Sequence, residues 1–189
     1  MNIPKSAPLL LVLLTGCALS PQTILIDPEV KIPSGNYQQL QKTIQIQVND
    51  ARQDRVIGTR GGIYKDTSEI TAAPGMTESV QNSLASAFRV LGYNVIGADA
   101  NATIAVDITD LTYAASGETT IRSVETSATL KATCRNGDHT VTNEYRITDK
   151  TEVLKAPSTG ENQDMINGTL SSTLQKLVSD PTLMGCINR

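Results

Sequence analysis

Residues 119–153 read TTIRSVETSATLKATCRNGDHTVTNEYRITDKTEV, and this stretch decides the fold. Asn136-Gly137 is the strongest two-residue hairpin signal, because both central positions of a type I′ turn take positive φ. Counting outward from that turn sets Cys134 opposite His139, Ala132 opposite Val141, Ala128 opposite Tyr145 and Thr126 opposite Ile147. Those residues share one face. The other face carries Glu125, Thr129, Lys131, Glu144 and Arg146, all polar. Turn chemistry and side-chain alternation agree, which predicts a long hairpin with one buried face.

Upstream, residues 102–114 read as a strand. Ile104, Val106 and Ile108 keep one phase, Leu111 and Tyr113 the other, and the slip at Thr109-Asp110 predicts a bulge. Residues 43–49 alternate strictly, with Ile44, Ile46 and Val48 on one face. Between these strands, Val80, Leu84, Ala87, Phe88 and Leu91 make an apolar stripe at helical spacing over 76–91, and Gly92 supplies a left-handed stop. Ser158 and Glu161 form a capping box for a second helix, whose stripe is Ile166, Leu170, Leu174, Leu177 and Val178. Asp180-Pro181 ends it, and Leu183, Met184 and Ile187 are expected to pack back on the core. Residues 50–75 are polar and glycine-punctuated, a long loop or a ragged hairpin with Ile57 and Ile63-Tyr64 as short strand pieces. The expected fold is α+β: an antiparallel sheet of about four strands with two helices on one face, in β-α-β-β-β-α order, a two-layer sandwich.

The 189 residues suffice for one compact domain; 39% are hydrophobic and 19% charged, an ordinary globular balance. One Phe, five Tyr and no Trp argue against a base- or sugar-stacking platform. A net charge of −3 argues against a broad nucleic-acid-binding face, so no nucleic-acid partner is expected.

Residues 1–16 read as a targeting segment. Lys5 gives a positive start, and Pro8 to Leu14 give an apolar run far shorter than the ~20 residues of a spanning helix. Leu14-Thr15-Gly16-Cys17 then resembles the lipobox of bacterial lipoproteins. That resemblance implies cleavage before Cys17, a diacylglyceryl thioether on Cys17 and N-acylation of the new terminus, the only prosthetic group expected. Two or three acyl chains anchor a protein to a membrane durably. Residue 18 is Ala rather than Asp, which points to the outer membrane, facing the periplasm of a Gram-negative bacterium. The expected divisions are a signal peptide over 1–16, a lipidated N-terminus and tether over 17–40, with Ile24-Leu25-Ile26 as a short strand in it, and one domain over 41–189. With Cys17 modified, Cys134 and Cys186 remain in an oxidising compartment. They either bridge or stay as two separately buried thiols.

The order of these pieces resembles the YajG family of small bacterial lipoproteins. The matching features are Leu14 to Cys17, Val48-Asn49-Asp50-Ala51-Arg52, Leu91-Gly92-Tyr93-Asn94-Val95, the strand Val106 to Tyr113, and Tyr145-Arg146. The resemblance implies an outer-membrane-type lipoprotein and carries no catalytic residues across.

Candidate chemistry is sparse. Cys134 beside His139 has the residue types of a nucleophile and base, but a hairpin tip is exposed and lacks a third orienting group. One His and two distant Cys give no metal-ligand spacing. Asp107 and Asp110 are the candidate carboxylate pair for a small envelope hydrolase. Arg52, Arg55 and Arg60 offer an anionic or partner-binding surface at a strand exit, set against a solvated loop with weak ion pairs. The expected role is a non-enzymatic, membrane-tethered binding or assembly module with an envelope protein partner. The alternatives are that enzyme or a structural subunit of an envelope complex.

Overall fold

The structure, a computed structural model, describes residues 19–61, 67–116 and 122–189. The strands are β1 Gln22–Ile24, β2 Thr43–Asp50, β3 Val56–Thr59, β4 Glu69–Ala72, β5 Asn94–Val95, β6 Ala102–Ser116, β7 Arg122–Asn136 and β8 His139–Val153. The helices are α1 Met76–Val90, α2 Thr159–Val178 and α3 Pro181–Ile187. The architecture is α+β, as expected, but among the described residues the sheet is mixed and has eight strands, with three helices.

β6 is the spine. Along one edge it pairs antiparallel with β7, which pairs antiparallel with β8. Its other edge is divided. Ala102 to Ile108 pairs parallel with β2, and Tyr113-Ala114 pairs parallel with β3. The predicted bulge falls between Ile108 and Asp110, at the point where the partner changes. β3 then leads through β4 to β1, and β2 carries β5 on its outer side.

The expectation of an antiparallel sheet fails at β2. The chain leaves β2 and returns to β6 after α1, so the crossover brings the two strands side by side in the same direction. The 50–75 segment forms the ragged hairpin: β3 pairs antiparallel with β4, with an irregularity between Val56 and Gly58. The reading of Ile63-Tyr64 as a strand piece lies outside the described residues.

The long hairpin forms, but its ladder is displaced. Asn136 faces His139, Cys134 faces Val141, Ala132 faces Asn143 and Leu130 faces Tyr145. The turn residues are Gly137-Asp138, and of these only Gly137 takes a positive φ, 56°. Asn136 stays in the strand and donates its side-chain amide to the carbonyls of Cys186 (3.0 Å) and Ile187 (3.3 Å). The displacement is two residues, so each side chain keeps its expected face.

Both predicted apolar stripes are buried against one sheet face: Val80, Leu84, Ala87 and Phe88 of α1, and Ile166, Leu170, Leu174 and Leu177 of α2. Ser158 and Glu161 make the predicted capping box. α3 is capped by Asp180, which accepts from the Thr182 amide (2.8 Å), the Asn143 amide (2.6 Å) and the Tyr145 hydroxyl (2.5 Å). Burial alone would raise the Asp180 carboxyl, but these donors outweigh it and hold it below the usual range. Burial, and then the facing Asp180, push the Tyr145 hydroxyl above its ordinary range.

The tether expected over 17–40 does not extend that far. Ile24 and Ile26 belong to the hydrophobic core, and β1 pairs parallel with β4. The segment then lies along α2. Gln163, Asn167 and Ser171 accept the backbone N–H of Leu25, Asp27 and Glu29, each at 2.9 Å. Four helical residues rise ~6.0 Å and two extended residues ~6.6 Å, so every fourth side chain meets every second amide. The folded domain therefore begins by Gln22 rather than at 41.

Candidate functional site

The strand exit after β2 is where the sequence pointed. Asp50 closes β2, and Arg52 folds back on it, with Nε donating to Oδ1 at 2.8 Å and Nη2 to Oδ2 at 2.9 Å. This two-pronged pair is the strong form of carboxylate recognition. The Arg52 side chain is only 6% exposed, and its Nη1 is buried with no hydrogen-bond partner. The Arg52 hydrogen bond holds the Asp50 carboxyl below the usual carboxylate range, against a burial effect of opposite sign.

Arg52, Arg55 and the start of α1 share a cleft of about 450 Å³, walled by Thr71 to Thr77. Gly75 occupies the N-cap with φ 93°, and no side chain caps the helix. The first turn of a helix carries N–H groups without intrahelical partners and a partial positive charge. An exposed Arg55, an uncapped helix start and an arginine neutralised by Asp50 make a modestly cationic recess suited to a carboxylate or phosphate group.

Arg60 does not join this cleft. Its Nη1 donates to the Ser20 carbonyl and its Nη2 to the Pro157 carbonyl, both at 3.2 Å. With the Gln22 amide oxygen turned toward it, Nε lies 3.1 Å from that oxygen. Arg60 is thus a clip joining the N-terminal segment to the loop before α2. The structure brings two of the three expected arginines together and uses the third to hold the fold.

Cys134 and Cys186 form a disulfide with a Cα–Cα distance of 6.4 Å. A bridged sulfur is no nucleophile, and His139 faces Asn136 rather than Cys134. Asp107 and Asp110 both lie on the sheet face away from the helices, but the bulge separates them. Asp107 accepts from the Asn49 amide at 3.3 Å and sits across from Lys131, and neither carboxylate lines the cleft. Among the described residues, no three His, Cys, Asp or Glu side chains gather as a metal site, and no helix is long and apolar enough to cross a membrane. Cys17 lies outside the described residues.

Sequence reading missed the α2 ladder. Gln163, Asn167 and Ser171 recur every four residues, a polar stripe beside the apolar one. That spacing was the available signal.

One solved structure supports the fold, and others resemble the chain more loosely. A protein from Xanthomonas campestris, XCC0632, is 14% identical, with a TM-score of 0.56, covering 85% of this chain and 95% of its own. A minor lipoprotein from Acinetobacter baumannii is 13% identical, with a TM-score of 0.37 over 80% of this chain and 95% of that one. The rare lipoprotein B from Shewanella oneidensis is 7% identical, with a TM-score of 0.43 over 75% and 96%. No curated protein matches the chain. A family model described as an uncharacterised lipoprotein matches residues 28–188. That span runs from the segment strapped on α2 to the last residue of the α3 cap, and with it the chain belongs to this YajG-like family of bacterial lipoproteins.

Proposed function

We propose that the protein is a lipid-anchored envelope lipoprotein that acts as a non-enzymatic binding or assembly module at the periplasmic face of the outer membrane. Cys17 carries the diacylglyceryl and N-acyl chains. The observation that carries this reading is the position of Leu14-Thr15-Gly16-Cys17, five residues before β1, in a chain of a lipoprotein family. Mass measurement of the native product, paired with a Cys17→Ser variant, tests the anchor. The native protein should begin at an acylated Cys17 and pellet with membranes, and the variant should lose the lipid mass and leave that fraction. An unmodified first residue, or retained residues 1–16, would overturn the reading.

Partner contact is assigned to the cleft of Arg52 and Arg55, and the fitting partner chemistry is an acidic group on an envelope protein. Tethering raises the effective concentration of such partners without any added contact. Arg55 is the informative position, because Arg52 and Arg60 are both built into the fold. Arg55→Glu places like charge against an acidic partner, which costs several kcal/mol in a close contact. In-cell crosslinking followed by mass spectrometry should show a loss of on the order of tenfold or more in captured partner, at unchanged protein level. Equal capture by the variant would remove the cleft from the proposal.

A further inference from the structure

We infer that the corner between the end of β8 and the start of α2 rests on the phospholipid bilayer, with Leu154 as the side chain that enters the interface. The inference deepens the anchored reading above and rests on it.

Leu154 is 82% exposed, the most exposed of the large hydrophobic side chains among the described residues. It does not stand alone. With the half-buried Val153 and Met165 and the buried Pro157 it lines an apolar groove of about 590 Å³. A large apolar side chain projecting from a patch of its own kind marks a contact surface.

The position of this corner says what covers it. Arg60 bridges the Pro157 carbonyl of the groove and the Ser20 carbonyl of the N-terminal segment. Ser20 is not loosely placed, because β1 follows at once and α2 straps the residues beyond it. Ser20 is only three residue steps from Cys17, and an extended chain covers at most ~3.6 Å per step. A lipid on Cys17 therefore holds Ser20 within about 11 Å of chain from the membrane surface, and the Pro157 corner is one guanidinium bridge beyond it. A partner protein would have to fit into that gap, whereas the bilayer is already there.

The charges favour an apolar contact over attraction to anionic lipid. Lys155 is the cation of the lining, which also holds the carboxylates of Glu161 and Asp164. Glu161 is engaged in the capping box, accepting from the Ser158 amide and hydroxyl at 2.7 Å each. The contact should therefore not weaken as salt is raised.

The chain has no Trp, so one introduced indole reports its own surroundings. The lipidated full chain carrying Leu154→Trp is reconstituted in phosphatidylethanolamine–phosphatidylglycerol vesicles containing doxyl-labelled acyl chains. Val90→Trp serves as the comparison: Val90 is exposed at the end of α1, and Leu40 there bonds to Gly92 at the opposite end of the sheet. β6 alone spans 15 residues, ~50 Å in an extended strand. The expected result is blue-shifted emission and strong quenching at position 154, not weakened at high salt, with neither at position 90. Equal, weak quenching at both positions on vesicle-bound protein overturns the seating while leaving the anchor intact. Protein that carries an unmodified Cys17 and fails to pellet with the vesicles overturns both.

Discussion

Replacing Cys134 and Cys186 together by Ala is expected to lower the stability of the folded domain by roughly 4 kcal/mol, the chain-entropy value for closing a loop of this length. The sequence separation is 52. The bridge ties the far end of β7 to α3, so without it the unfolded ensemble gains the freedom of the whole intervening β8–α2 segment. Both cysteines are buried, so truncation adds a small cavity contribution of the same sign. For a domain of this size the melting temperature should fall by roughly 8–16 °C. Cys134→Ala alone should reproduce most of the loss, because one partner suffices to open the loop. Equilibrium denaturation of the lipid-free domain under non-reducing conditions measures it. A loss below about 1 kcal/mol would mean that Leu183 and Ile187, both buried, and the Asp180 cap hold α3 in the unfolded-state reference as well as in the native state.

The parts of this fold that were legible in the sequence are those where one local signal met one periodicity. Val80 to Leu91 could bury a single face only as a helix, and Ser158 with Glu161 announced the start of α2. The slip at Thr109 marked the bulge that lets β6 change partners. What stayed hidden depended on contacts between distant residues. A short strand at Ile24-Leu25-Ile26 could be read, but the chain goes on alternating in burial through Ile26 and Pro28, and Pro21, Pro28 and Pro33 made that stretch look like a tether. Its extended shape is set by Gln163, Asn167 and Ser171, about 140 residues away. The parallel pairing of β2 with β6 is likewise a property of the crossover, not of either strand. The hairpin register slipped in the reading because Asn136 is recruited by the α3 carbonyls, a tertiary demand that outweighs its turn preference.

The same division explains the candidate site. Arg52, Arg55 and Arg60 share one charge and one neighbourhood in sequence, and nothing local separates them. Asp50 claims Arg52 because a carboxylate two residues away at a strand exit meets the guanidinium on both prongs. Arg60 lies at the end of β3, where Ser20 and Pro157 present two carbonyls that need donors. Arg55 alone keeps an exposed head, so the functional assignment narrows from three residues to one cleft.

Gly92→Ala is expected to cost roughly 4 kcal/mol, and a three-variant series shows why. At Gly92 two penalties coincide. Its φ is +93°, and an added Cβ would lie 2.2 Å from the Gln38 carbonyl oxygen. The Leu40 amide bonds to the Gly92 carbonyl at 2.8 Å, so the contact is between two pieces of backbone and neither can swing away. A left-handed conformation costs a residue with a Cβ about 1–2 kcal/mol, and an overpacked site about 1–3 kcal/mol more. Gly75 has the same φ of +93° but open space around it, so Gly75→Ala should show the conformational part alone, about 1–2 kcal/mol. Gly97 has neither the positive φ nor a neighbour within 4 Å, and Gly97→Ala should change stability by less than about 0.5 kcal/mol. Chemical denaturation of the three variants separates the contributions by subtraction. If Gly92→Ala costs no more than Gly75→Ala, the close approach of residues 38–40 to the end of α1 is not maintained in solution. The packing of Leu40 and Tyr93 against the core would then have to be held by side chains alone.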